Sequence, residues 1–146
     1  VLPAEGGVTW RGEPPAPGRL ALLFQNPDYQ LLGRTVAEEL GLDSPAPERG
    51  RSALQTTGVE ALADAAPESL SPGQRRRVAL AAVLASGAPL VLLDNPLADC
   101  GVGEGEALWQ AVAGMLADEG RTVLVAGPLP GSARVDRTWD VQQWQP

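Results

Sequence analysis

Blocks of apolar residues predict helices and strands in alternation along the second half of the chain. Residues 73–85 favour a helix, because apolar side chains recur there at helical spacing, at Val78, Ala81, Ala82 and Ala85. Continuous apolar runs at 89–93 and 122–126 are bounded by turn residues, which is typical of strands covered on both faces, and a further helix is predicted over 104–118. Helix and strand alternating in this way predict an α/β fold with a parallel sheet.

The first half of the chain shows shorter elements separated by Gly and Pro. Thr35 is the expected N-cap of one helix, because a Thr oxygen accepts well from N–H groups in a first turn. The Pro-rich pieces are interpreted as loops inside one domain, for which 146 residues with 44% hydrophobic content suffice. The remaining predictions are strands at 7–10, 19–24 and 137–144 and helices at 35–40, 51–57 and 59–65.

Composition excludes several kinds of chemistry from this chain. It contains no Lys and no His, so a Schiff-base lysine, a phosphate-loop lysine, an imidazole base and a histidine metal ligand are all absent. The net charge of −7 argues against nucleic acid as a partner. The cationic cluster at 75–77 is expected to be a solvated helical turn. A single cysteine, Cys100, favours a reducing cytoplasmic setting.

The stretch from residue 70 to residue 94 carries the candidate chemistry. Residues 71–74, Ser-Pro-Gly-Gln, open a helix, and the strand that follows it ends in Asp94. Amide groups at a helix N-terminus bind phosphate, and a carboxylate at a strand end can hold a metal, so this order predicts a nucleotide site at one sheet edge. Ser71 followed by Pro72 is also good capping chemistry in any helix, and both interpretations stay open.

Three segments in this order resemble motifs of the ABC transporter ATPases. Residues 24–30, 70–74 and 92–96 resemble the Q-loop, the signature and the Walker B segment of that family. The residues around the Q-loop, through 35–39, are most similar to the energy-coupling-factor subgroup, which powers vitamin and transition-metal uptake in bacteria. The resemblance spans nearly the whole chain.

The resemblance implies a fold and a set of partners. The fold is a P-loop-NTPase-like core with a mostly parallel sheet, flanking helices and a small helical subdomain. Residues 1–146 would form one nucleotide-binding domain without its N-terminal P-loop unit, and 27–70 a shortened helical subdomain. The implied partners are a second ABC ATPase subunit and a transmembrane transport subunit. The implied location is cytoplasmic, peripheral at the inner face of the cell membrane.

The resemblance also assigns roles to individual residues. In the family, two domains sandwich ATP head to tail, so ATP and Mg²⁺ would be shared with the partner subunit. The signature residues would meet the γ-phosphate in trans, and two further residues would hold Mg²⁺ through water. The first group is Ser71, Gly73 and Gln74, and the second is Asp94 and the Q-loop residue Gln25.

Several positions depart from the family pattern. Pro72 replaces a Gly and removes one N–H, Asn95 stands where hydrolysing members have Glu, and Pro128 stands where they have the switch His. An amide cannot accept a proton at neutral pH, so general-base action is lost at Asn95. No Gly-rich loop ending in Lys-Ser or Lys-Thr occurs in the sequence.

These departures lead to one leading hypothesis and two alternatives. The first is a degenerate ATP-binding half of an energy-coupling-factor importer, which contributes its signature motif to the partner's site and does not hydrolyse ATP alone. The second is the downstream fragment of a conventional ABC ATPase. The third is an interaction protein on the same fold without a transport role.

Overall fold

The computed structural model describes residues 9–14 and 16–138, which contain a three-stranded parallel sheet. The strands, in the order β1-β2-β3 across the sheet, are β1 Leu20–Leu23, β2 Leu90–Asp94 and β3 Thr122–Ala126. The α/β class is therefore confirmed. The helices are α1 Val36–Glu39, α2 Glu48–Thr57, α3 Pro72–Ala85 and α4 Val102–Asp118, with single 3₁₀ turns at Pro27–Tyr29, Glu60–Leu62 and Pro67–Ser69.

The central strand β2 and the outer strand β3 differ in how well they are covered. The central strand β2 pairs with both neighbours and is mostly buried, as its continuous apolar run predicts. The prediction of a covered strand at 122–126 is wrong, because β3 alternates between exposed and half-buried residues and Leu124 is 43% exposed. Within the described part of the chain β3 pairs only with β2, so it is an edge strand.

Helix α3 forms the centre of the core. The predicted helix at 73–85 is confirmed, but its buried surface is much wider than the single apolar face that the spacing predicts. The reason is that α2 packs on one side of α3 and β1 lies on another. The buried residues of α3 are Arg76, Val78, Ala79, Leu80, Ala81, Val83 and Leu84.

The other helices agree with the sequence pattern except in one segment. Thr35 caps α1, since its hydroxyl oxygen accepts the Glu38 N–H at 3.1 Å. The helix predicted at 59–65 is only a 3₁₀ turn, because the carbonyl groups of Ala63 and Ala65 accept N–H groups from the first turn of α1. No helix in the described ranges combines the length and apolar character needed to cross a bilayer.

Two predicted strands fall partly outside the described residues. Residues 7–8 and 139–144 lie outside them, so the predictions at 7–10 and 137–144 are not tested there. Trp10 makes an isolated antiparallel bridge with Glu13, in which the backbone of each donates to the other. Arg137 belongs to no strand.

Two glycines inside helices allow a test of the packing that positions α2. A Cβ on Gly50 of α2 would lie 2.5 Å from the backbone oxygen of Leu40, whereas a Cβ on Gly114 of α4 would meet nothing within 4 Å. We expect Gly50→Ala to lower the free energy of unfolding by about 1–3 kcal/mol through overpacking. Gly114→Ala should raise it by about 0.5–1 kcal/mol, because Ala has the higher helix propensity. Urea unfolding measures both, and equal effects of the two substitutions would contradict the packing described.

Candidate functional site

The candidate site residues meet at the edge of the sheet where the parallel strands end. β1 and β2 run in register, so Gln25 and Asp94 leave the sheet at the same edge. Helix α3 begins at this edge too, because Arg76 donates to the carbonyl oxygens of Gln25 and Asn95 at 2.6 and 3.2 Å. The structure therefore brings the Q-loop segment, the end of β2 and the start of α3 together.

The start of α3 is closed by a capping box. The Ser71 hydroxyl oxygen accepts the Gln74 N–H at 3.3 Å, and the Gln74 side-chain oxygen accepts the Ser71 N–H at 2.9 Å. The capping interpretation of these residues is therefore confirmed. Capping leaves part of the anion-binding capacity free, because the Gly73 N–H has no acceptor inside the helix and a Ser hydroxyl that accepts one bond can still donate one.

The three consecutive arginines of α3 are not a solvated turn, contrary to the sequence prediction. Successive helical residues point about 100° apart, so each arginine meets a different segment. Arg75 pairs with Asp28 at 2.7 Å, and Arg77 pairs with Glu104 at 3.3 Å. The side chain of Arg76 is only 7% exposed.

Arg76 is the residue at this site that the sequence interpretation missed. Its Nε lies 3.6 Å from a carboxylate oxygen of Asp99, whose side chain is 56% exposed. A signal for its burial exists in the sequence, since the residues three, four and seven positions after it are apolar. These residues are Ala79, Leu80 and Val83, and all three are buried.

Asn95 adopts a backbone conformation that suits its residue type. Its φ is 54°, in the left-handed region that Asn tolerates better than most other residues. Its N–H donates to the Ala126 carbonyl at 2.7 Å, and its own carbonyl accepts from Arg76. Asn95 therefore joins the end of β2 to the end of β3, in addition to lacking the carboxylate that a general base requires.

The segment after β3 is fitted closely to Asn95. Gly127 has φ 120°, and a Cβ built there would lie 2.7 Å from the side-chain oxygen of Asn95 and 3.2 Å from its Cα. Pro128 follows and is exposed. It offers neither an N–H nor a polar side chain, so this position cannot donate to a phosphate.

Two residues at this sheet edge carry oxygen ligands of the kinds that Mg²⁺ prefers. Asp94 offers a carboxylate and Gln25 an amide oxygen, and both are ligand types that Mg²⁺ prefers. In the described part of the chain no three acidic, Cys or His side chains cluster closely enough to hold a metal. A bound ion would therefore take its remaining ligands from water and phosphate.

A cleft of about 260 Å³ lies between the start of α3 and the Q-loop segment. It is lined by Gln25, Asn26, Pro27, Asp28, Pro72, Arg75, Arg76 and Asp99. A larger cleft of about 600 Å³ lies near Arg49, Met115 and Glu119 and contains none of the candidate residues. Of the predicted site residues only Gln25 lines the smaller cleft, and Ser71, Gly73, Gln74 and Asp94 are not among its lining residues.

Comparison with known proteins places the chain among nucleotide-binding cassettes. The family described as ABC transporter matches residues 1–98. The thiamine import ATP-binding protein ThiQ of Cereibacter sphaeroides is 38% identical over 92% of this chain and 63% of its own length. The energy-coupling factor transporter ATP-binding protein EcfA1 of Lacticaseibacillus paracasei is 40% identical over 53% of this chain and 31% of its own length. The chain thus spans less than two thirds of these curated relatives.

A solved structure gives the same result for the fold. The protein cbiO1 from Clostridium perfringens, part of the ABC transporter complex cbiONQ, superposes with a TM-score of 0.67 at 25% identity. The superposition covers 86% of this chain and 57% of cbiO1. The P-loop-NTPase-like fold class predicted from the sequence motifs is therefore confirmed.

The contact between Gly127 and Asn95 generates a double-mutant test. Gly127→Ala should lower the free energy of unfolding by about 1–3 kcal/mol, because a Cβ at this φ is strained and also crowds the Asn95 side chain. Adding Asn95→Gly removes the 2.7 Å approach to the side-chain oxygen, but the approach to the Cα of residue 95 and the backbone strain at residue 127 remain. We expect a coupling of at least about 0.5 kcal/mol between the two substitutions in urea unfolding. Strict additivity would show that the two positions are independent.

Proposed function

The chain belongs to the ABC transporter family, and from this premise we propose that it is an ATP-binding component of an importer. In this proposal it presents the start of α3 to an ATP molecule that a second ATPase subunit holds. One observation carries the proposal: the α3 N-terminus keeps anion-binding groups, whereas Asn95 and Pro128 cannot perform proton transfer or contact phosphate.

The named relatives support an importer. ThiQ is named a thiamine import ATP-binding protein, and EcfA1 an energy-coupling factor transporter ATP-binding protein. Residues 24–39 have the sequence most similar to the energy-coupling-factor subgroup. The first residues of this segment line the 260 Å³ cleft. We therefore assign this chain to the same class of importers, without naming a solute.

The start of α3 supplies three kinds of favourable interaction with a phosphate. The Gly73 N–H has no acceptor inside the helix, the Ser71 hydroxyl can donate, and the positive end of the helix dipole points outward. Pro72 contributes no donor. Gln74 acts indirectly, because its side chain closes the capping box that holds Ser71 in place.

Asp94 and Gln25 would hold Mg²⁺ through water on this chain's own side. The ion, when bound, neutralises charge on the phosphates. Asn95 can orient a water molecule by hydrogen bonding, but it cannot take a proton from it at neutral pH. Slow hydrolysis or none is therefore expected at the site that this chain's own strand ends form.

Two exposed large apolar side chains at and after the Q-loop segment support docking of a transmembrane subunit. Tyr29 is 75% exposed and Leu32 is 86% exposed, and both follow Gln25 closely. The two residues are three positions apart in the sequence, and we propose that they form one contact surface for that subunit. In this proposal residues 27–70 form the helical subdomain and the chain works at the inner face of the membrane.

Reconstitution with a complete ATPase subunit tests the proposal. The chain is mixed with an intact ABC ATPase subunit that copurifies with it, and the rate of ATP hydrolysis is measured. We expect the wild-type chain to stimulate the rate and Ser71→Arg to lower the stimulated rate by about 100-fold, since a large cation would occupy the phosphate position.

Ser69→Arg is the matched control, because Ser69 is exposed and lies two residues before the helix cap. It adds the same side chain outside the proposed contact and should leave stimulation intact. Absence of stimulation by the wild-type chain, or equal losses in the two variants, would overturn the proposal. Thermal melts of both variants establish that they are folded.

A further inference from the structure

We propose that Arg76 is a positioning residue, which holds the Q-loop segment and the segment after β2 in a fixed relation to the start of α3. The inference rests on the proposed function, because it assigns these three segments to one ATP site. The side chain itself touches no nucleotide in this proposal. It acts through the backbone of the residues beside it.

The planar guanidinium group of Arg76 forms hydrogen bonds to two loops at once. Nη2 of Arg76 donates to the Gln25 carbonyl at 2.6 Å, and Nη1 donates to the Asn95 carbonyl at 3.2 Å. The guanidinium group is planar, so its two terminal nitrogens keep a constant separation. The carbonyls of the two loops are therefore held at a distance that the fork defines.

Both acceptors are main-chain oxygens, so the contact controls the path of the backbone and not the position of a side chain. Backbone carbonyls accept regardless of the side chain at their position, so the link persists although Asn95 replaces the family's Glu. The link fixes the path of the chain immediately beside Asp94 and at Gln25 itself. These are the two residues proposed to hold Mg²⁺.

The energetics of Arg76 argue for a specific role and not for general stabilisation. The side chain is 7% exposed, its Nε has no hydrogen-bond partner in the described residues, and its nearest carboxylate, on Asp99, lies 3.6 Å away. Burying a cation with incomplete pairing costs free energy that an apolar residue would not cost. The contact that offsets this cost is the link between the two loops.

The neighbouring arginines provide a natural comparison. Arg77 lies on the same helical turn and forms an ion pair with Glu104 of α4, whose side chain is 68% exposed. It contacts neither the Q-loop segment nor Asn95 in the structure. Arg77→Met is therefore a matched control that removes one charge from the same turn.

Amide hydrogen exchange tests the link without nucleotide. In Arg76→Met the N–H groups of Gln30 and Ala98, which close the turns after Gln25 and Asn95, should exchange about tenfold faster. Arg76→Lys should behave similarly, because a single ammonium group cannot replace a planar fork. Amides inside α4 should stay unchanged in both, and Arg77→Met should accelerate neither loop. The Lys variant keeps the charge and guards against a Met variant that fails to fold.

The stimulated ATPase assay adds a readout that general stability does not move. For Arg76→Lys we expect kcat of the mixed subunits to fall about tenfold with little change in KM, while Arg77→Met changes neither. Unchanged exchange in both loops overturns the inference, whatever the assay shows. If the wild-type chain gives no stimulation, the proposed function fails, and faster exchange would then support the link alone. Faster exchange with an unchanged kcat would overturn the role of Arg76 in positioning.

Discussion

Helix α3 is held near both of its ends by buried arginines, and the geometry of the candidate site depends on how that helix is fixed. At its last turn, Nη2 of Arg121 donates to the Leu84 carbonyl at 2.7 Å. Burial lowers the pKa of Arg121 from its ordinary value, and Glu119 beside it opposes that shift. An arginine guanidinium stays charged in a protein, and a positive charge is favourable at a helix C-terminus. Near the start of the helix, Arg76 donates to the carbonyl groups of Gln25 and Asn95 and so links α3 to the loops that follow β1 and β2.

A ligand that bound at the N-terminus of a helix fixed in this way would lose little free energy to ordering the helix. The capping box already sets the conformation of Ser71 and Gln74, so binding an anion would not need to arrange them. The side chains at the ends of β2 and β3 supply different chemistry. Asp94 keeps a carboxylate, whereas Asn95 and Pro128 supply no acid or base. The same edge of the sheet therefore carries a capped helix N-terminus and a carboxylate, but no group at residues 95 and 128 that could transfer a proton.

The sequence predicts those features that follow from local periodicity and motif order. The helix around Val78, the strand at 89–93 and the Thr35 cap are found where the pattern places them. The sequence does not predict features that depend on residues far away in the chain. The exposure of Leu124 depends on what covers its face of the sheet, because the residues of β3 on that face are exposed and those on the other face are half-buried. The burial of Arg76 depends on two carbonyls that are 51 and 19 residues away.

The unusual residues at the ends of β2 and β3 are consistent with each other as local structure. Asn95 has a positive φ, which Asn accepts more readily than Glu, and its side-chain oxygen occupies the space over Gly127. Gly127 leaves that space open because it has no Cβ, and its φ of 120° is one that Gly adopts without strain. A Glu at 95 would therefore meet an unfavourable backbone, a crowded neighbour and, at Pro128, no partner for phosphate contact. The three residues form a set, because a carboxylate introduced at residue 95 would meet both the backbone conformation of that residue and the space over Gly127.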